Sequence, residues 1–122
     1  MNDEVILNKH GVNAAIGYNV LSDDEMRKLG FTDHREGYWY YFHSVSDDGE
    51  VTFNVTIDKA GIDDLRIDIL DEAFGQPYDF QYILERTPDI QYAKDVKEAV
   101  EAEMQRLQEA GVLFGHEYGE YI

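Results

Sequence analysis

The chain has 122 residues, the usual size of one domain, so we expect residues 1–122 to fold as a single domain around one apolar core. It has no cysteine, which excludes disulfides, thiolate metal sites and cysteine nucleophiles. Its 26 acidic and 10 basic residues give a net charge of −16, which disfavours direct binding to nucleic acid or to an anionic membrane surface.

The N-terminal residues lack the basic stretch and apolar run of a secretory signal. No apolar run approaches the roughly 20 residues that would span a bilayer. These two features predict a cytoplasmic protein.

Two elements are predicted in the first quarter of the chain. Apolar and polar or small residues alternate over residues 12–20, which indicates an edge strand. Residues 22–30 predict a short helix, because Ser22 and Glu25 have the spacing of a capping box and Gly30 supplies a left-handed stop.

The middle of the chain predicts a β-hairpin and a third strand. The hairpin covers residues 38–58, with its turn at residues 47–49. The third strand follows at residues 65–69, where apolar residues alternate with Arg66 and Asp68.

The last third predicts one more strand and a long helix. Alternation over residues 78–84 indicates a fourth strand. The helix should begin at Thr87 as cap, with Pro88 at its first position, and end at Gly111. Residues 112–114 should then fold back onto the core, which leaves residues 115–122 as a C-terminal tail.

The helix carries a narrow apolar stripe, and consecutive strands joined by short turns form a meander with one apolar face. We therefore predict an α+β fold: an antiparallel meander of about four strands, with a short N-terminal helix and a long C-terminal helix packed on one face as a two-layer sandwich.

The aromatic run at residues 38–42 is the most distinctive feature of the hairpin. On a strand, Trp39 and Tyr41 face one way, while Tyr38, Tyr40 and Phe42 face the other. One face serves the core, and the other is either covered by another segment or exposed as a protein-binding patch. Stacking of nucleic acid bases would need a basic surround that this chain lacks.

The carboxylates cluster around the third strand, at Asp63, Asp64, Asp68, Asp71 and Glu72. Their order does not match a calcium loop, and an acidic sheet edge that blocks aggregation is the plain alternative. The four histidines lie at positions 10, 34, 43 and 116, without zinc-motif spacing, and His43 is expected to be packed among the aromatic residues. No motif of a catalytic nucleophile, metal or cofactor site is present, so we predict no catalytic residue, metal or cofactor.

Several strings carry a resemblance to known proteins: LGFT at residues 29–32, YWY at 38–40, FNVTI at 53–57 and ILDEAFGQPYD at 69–79. Over residues 20–122 the chain resembles small acidic uncharacterised proteins of lactic acid bacteria and their prophages. The resemblance implies a bacterial setting on a mobile element, with no activity and no functional residue to transfer.

The leading hypothesis is a non-enzymatic interaction protein, such as a phage-borne inhibitor or nucleic-acid mimic, that docks a basic partner protein. The acidic cluster would bind it, with Trp39 and Tyr40 as aromatic anchors. The alternative is a small enzyme or ligand-binding domain with a pocket between helix and sheet near His43. The chain would be a monomer, or a homodimer through its aromatic strand.

Overall fold

The computed structural model describes residues 17–60 and 65–114. This part of the chain contains six strands and three helices, with four of the strands consecutive in sequence. In chain order they are β1 (Gly17–Tyr18), α1 (Asp23–Leu29), β2 (Tyr38–Ser44), β3 (Val51–Asp58), β4 (Arg66–Asp71), β5 (Gln76–Pro77), α2 (Phe80–Arg86), α3 (Gln91–Glu109) and β6 (Leu113–Phe114).

The main sheet has four antiparallel strands in the order β2-β3-β4-β5. Its register places Tyr41 opposite Val55, and Val55 opposite Ile67. Because side chains alternate along a strand, residues paired across the sheet share a face. The predicted α+β meander, with a short N-terminal and a long C-terminal helix, is confirmed.

The core lies on one side of this sheet. From β2, β3 and β4 it takes odd-numbered residues, which all point to the same face, and these pack with the apolar stripe of α3. The stripe consists of the predicted residues Ala93, Val96, Val100, Met104 and Leu107, all fully buried.

Local signals explain α1 in full. The Ser22 hydroxyl accepts a hydrogen bond from the Glu25 backbone N–H at 3.3 Å, and the Glu25 carboxylate accepts one from the Ser22 N–H at 3.4 Å. Gly30 ends the helix with φ +106°, where a side chain would be strained. The predicted capping box and stop are confirmed.

The predicted fourth strand at residues 78–84 is wrong, because most of that segment is α2. The Asp79 carboxylate accepts a hydrogen bond from the Tyr82 N–H at 3.0 Å and so caps the helix. Phe80, Ile83 and Leu84 lie three and four positions apart, and this spacing turns them toward the core. The fourth strand is the two-residue β5, which pairs with Leu70 and Asp71.

The long helix also begins later than predicted. Thr87 is the C-terminal cap of α2, and α3 begins at Gln91 with Ile90 as a cap that makes no side-chain hydrogen bond. The fold-back that follows α3 is confirmed: Val112 and Leu113 are buried, and β6 pairs with β1. Of the strand predicted at residues 12–20, residues 17–20 are described, and β1 takes only Gly17 and Tyr18 of these. Residues 12–16 and the predicted tail at 115–122 lie outside the described residues.

Candidate protein-binding face

The side of the sheet away from the core carries the candidate site. We call it the outer face and define it by the even-numbered positions that share it, with Glu72 just beyond β4. Its residues are Tyr38, Tyr40, Phe42, Ser44, Thr52, Asn54, Thr56, Asp58, Arg66, Asp68, Leu70 and Glu72.

A chain of hydrogen bonds crosses the outer face. The Tyr40 hydroxyl donates to Asn54 Oδ1 at 2.5 Å, and Asn54 Nδ2 donates to Thr52 Oγ1 at 3.0 Å. The Thr52 hydroxyl then donates to Glu72 Oε2 at 2.6 Å. Thr52 and Asn54 are buried within this network, so their polar groups are satisfied by one another. The network holds Tyr40 and Glu72 in fixed positions at its two ends.

The electrostatics of this face are acidic. Burial raises the pKa of Tyr40, and the negative charges of Glu72 and Asp68 raise it further. Arg66 forms an ion pair with Asp68, with 3.7 Å between Arg66 Nη2 and Asp68 Oδ2. Among the described residues, no basic side chain lies within 4.0 Å of the Glu72 carboxylate.

An exposed aromatic ring lies on the same face as these carboxylates, with β3 between them. Phe42 is 53% exposed, although it is a large apolar side chain in the middle of a strand. It is paired across the sheet with Asn54, which is paired in turn with Asp68. Half-buried Tyr40 lies two residues earlier on the same strand and face. The outer face therefore combines aromatic surface with negative charge.

The predicted site residues are only partly brought together. Asp68, Glu72 and Tyr40 share the outer face. Asp71 pairs with Val51 on the other side of the sheet, and its carboxylate accepts a hydrogen bond from the Ala73 N–H at 3.1 Å. Asp63 and Asp64 lie outside the described residues.

Trp39 cannot serve as an exposed anchor, because its side chain is fully buried. Lys59 Nζ lies 4.4 Å from the centre of its ring and Arg27 Cζ lies 5.2 Å from it. Asp33 holds both cations with ion pairs of 3.0 Å, which lower the pKa of Asp33 to about 2. Trp39 is therefore a core residue whose ring is covered by the side chains of Arg27 and Lys59. This corrects the prediction that Trp39 is an anchor for a partner.

Phe42, Asn54 and Thr52 belong to the site but were not among its predicted residues. The signal that could have found them is the pairing register of the hairpin, which places Phe42 beside Asn54 and Thr52 beside Leu70. Alternation alone assigned Phe42 to the same face as Tyr40, without showing which face the helices cover.

His43 is exposed rather than packed, which corrects the expectation for it. Its Nε2 lies 3.6 Å from Glu103 Oε2, and its ring stacks on Tyr41 with the ring centres 6.4 Å apart. The Tyr41 hydroxyl donates to Glu103 Oε1 at 2.5 Å, and Arg106 Nε lies 3.6 Å from the same oxygen. This cluster joins the edge of the sheet to α3.

Two of the cavities lined by described residues flank α3. One of about 450 Å³ lies at the end of the hairpin and is lined by Ser44, Val45, Ser46, Asp47, Asp48, Tyr92, Asp95 and Ala99. The other, of about 440 Å³, is lined by Leu84, Pro88, Gln91, Lys94, Lys97, Glu98 and Glu101. Neither is lined by His43 or Glu103.

Within residues 17–60 and 65–114, no group of three or more histidine, aspartate or glutamate side chains is arranged to hold a metal ion. None of the helices described in that part of the chain is long and apolar enough to cross a membrane.

Comparison with known proteins finds a similar fold. The crystal structure of a DUF1831 family protein from Lactobacillus plantarum matches with a TM-score of 0.64 over 92% of this chain and 96% of that chain. The sequences are 12% identical, so the likeness shows the fold alone. The neighbour comes from a lactic acid bacterium, the group that the sequence resemblance indicated. No family model and no curated protein matches the sequence.

Proposed function

We propose that this protein is a non-enzymatic interaction protein that docks a basic partner protein on its outer face. The observation that carries the proposal is that exposed Phe42 shares the side of the sheet away from the core with Tyr40, Asp68 and Glu72. Aromatic rings supply desolvated contact area, and carboxylates supply charge complementarity to lysine and arginine.

The hydrogen-bond network supports this function physically. It fixes the Tyr40 ring and the Glu72 carboxylate before a partner arrives, so less side-chain freedom is lost on binding. Its donors all point toward Glu72, and Thr52 donates to Oε2 of that carboxylate. Within the described part of the chain no donor bonds the other oxygen, where a cation of the partner would donate its hydrogen bonds.

The net charge of −16 adds a long-range component. A field of this sign accelerates encounter with a basic protein and repels nucleic acid. An inhibitor or nucleic-acid mimic uses the same arrangement, because its carboxylates occupy a groove that normally holds phosphates. The proposal includes a bacterial cytoplasmic setting on a prophage or other mobile element, which the resemblance to proteins of lactic acid bacteria supports.

The test is a pull-down from a lysate of a lactic acid bacterium at low and at high salt. The outer-face variant combines Phe42→Ala with Glu72→Gln. We expect the wild-type protein to retain a basic protein at low salt and to lose it at high salt, because screening weakens charge-driven docking. The variant should bind at least about tenfold more weakly, as expected for the truncation of an interface anchor.

The matched control combines Tyr82→Ala with Glu98→Gln, which changes an exposed aromatic ring and an exposed carboxylate on the helical side of the molecule. It should bind as the wild type does. Failure to retain any basic protein at low salt would overturn the proposal, and so would equal binding by the outer-face variant and the wild type.

A further inference from the structure

The two edges of the main sheet differ in how they are protected. The β5 edge has two residues, and Pro77 has no backbone N–H to offer another strand. The β2 edge is seven residues long. Natural sheets blunt such edges with proline, lysine, bulges or a covering segment, because an open edge accepts a strand from another chain.

Among the residues that the structure describes, Thr32 covers the first half of the β2 edge. The Thr32 N–H donates to the Tyr40 carbonyl at 2.8 Å, and the Tyr40 N–H donates to the Thr32 carbonyl at 2.8 Å. In an antiparallel sheet the backbone groups of alternate residues point outward. Since those of Tyr40 point outward, those of Phe42 and Ser44 do as well.

The described part of the chain gives the second half of this edge none of the usual protection. Among the described residues, no backbone group bonds the outward N–H and C=O of Phe42. Phe42, His43 and Ser44 are all exposed, in contrast to the buried and half-buried residues before them. The segment contains no proline, lysine or carboxylate that would repel an added strand.

The surroundings of this edge determine the chemistry of a strand that would fit it. On the outer face it is flanked by the exposed Phe42 ring. On the helix side, the 450 Å³ cavity begins at Ser44 and is lined by Asp47, Asp48 and Asp95, with no lysine or arginine in its lining. Val45 and Ala99 form apolar wall beside these carboxylates, which suits the aliphatic stem of a basic side chain.

We infer that an extended basic segment of the partner protein adds to the sheet as a fifth strand beside residues 42–44. Its side chains alternate between the two faces. Apolar residues contact Phe42, and a lysine or arginine enters the cavity at the end of the hairpin. The inference rests on the proposed function, since it specifies how the basic partner is held.

The experiment uses a short synthetic peptide of alternating valine and lysine and measures backbone amide hydrogen exchange by NMR. With saturating peptide, exchange at the outward amides of Phe42 and Ser44 should slow by about tenfold or more, because hydrogen-bonded amides exchange through opening. The Tyr40 amide is the internal control, since its bond to Thr32 exists without the peptide. Its exchange should change little.

Control peptides separate charge from strand formation. A peptide with glutamate in place of lysine should not bind. One with a central valine replaced by proline should bind more weakly and leave the amides of Phe42 and Ser44 unprotected. In the protein, the double variant Asp47→Asn, Asp95→Asn should lower the affinity for the peptide several-fold. The control double variant Glu98→Gln, Glu109→Gln removes the same amount of charge elsewhere and should leave the affinity unchanged.

The outcomes distinguish the two proposals. If the peptide binds while the amides of Phe42 and Ser44 exchange as fast as before, the added strand is refuted and the docking of a basic partner stands. If neither the peptide nor a basic lysate protein binds, both fail. If these amides become protected without peptide as protein concentration rises, the occupant is a second copy of this chain, and the partner segment is refuted.

Discussion

The two faces of β2 contain similar residues in opposite environments. Trp39 and Tyr41 point to the core side and are 0% and 5% exposed, whereas Phe42 on the outer face is 53% exposed. The core side is held by apolar packing against α3, and the outer face is held by hydrogen bonds that run from Tyr40 to Glu72. Aromatic content therefore does not distinguish core from surface here, while strand register does.

The largest expected loss of stability comes from a comparison of two phenylalanines, one on each face of the sheet. Phe53 is fully buried in β3 and touches the Tyr41 ring edge-on, with ring centres 6.3 Å apart. Phe53→Ala should lower the free energy of unfolding by about 3–5 kcal/mol, because it removes buried apolar area and leaves a cavity. Phe42→Ala should lower it by less than about 1 kcal/mol. Urea unfolding at neutral pH measures both, and similar losses would show that the outer face is also core.

Removing the hydroxyl groups of the neighbouring Tyr40 and Tyr41 should lower the free energy of unfolding by an intermediate amount. The Tyr41 hydroxyl donates to the Glu103 carboxylate, and burial with this bond raises its pKa from 10.0 to about 12. Tyr40 donates to an amide oxygen of Asn54 instead. At neutral pH, Tyr41→Phe should cost about 1.5–3 kcal/mol and Tyr40→Phe about 0.5–1.5 kcal/mol, since hydrogen bonds to charged groups are stronger.

The sign of the pH dependence follows from the raised pKa of Tyr41. The folded state favours the neutral phenol, so its contribution to stability is complete below pH 10 and is lost as pH rises from 10 to about 12. Urea unfolding between pH 9 and about 12 should show a decline that is smaller in Tyr41→Phe. An unchanged decline in that variant would assign the alkaline loss to other groups.

The sequence predicts those elements whose signals are local. Ser22, Glu25 and Gly30 define α1 within nine residues, and the alternation in residues 51–58 defines β3. Residues 78–84 fit two periods at once, because their apolar residues alternate and also recur at helical spacing. The Asp79 cap and packing against α3 favour the helix over the strand. The packing is a tertiary interaction, which the local sequence does not reveal.

The same reason limits prediction of the binding face. Alternation separates Trp39 from Tyr40, yet the choice of which faces the core depends on the partner strand. The continuous apolar set Val51, Phe53, Val55 and Ile57 marks the core side of β3, and the register pairs Trp39 with Ile57. Combining the two would have placed Trp39 in the core, whereas its residue type alone suggested an interface anchor.

The smallest expected effect on stability belongs to the carboxylate at the end of the outer-face network. The Glu72 side chain is exposed and accepts a hydrogen bond from the Thr52 hydroxyl. In Glu72→Gln the amide oxygen can accept the same bond, so the free energy of unfolding should change by no more than about 0.5 kcal/mol. Binding of a basic partner should nevertheless weaken, because the charge has been removed without altering the shape. Urea unfolding and the pull-down, carried out on this single variant, separate the two effects. A loss of stability approaching that of Phe53→Ala would mean that the Glu72 charge is needed to hold the sheet together, and the outer face would then be a structural network rather than a docking surface.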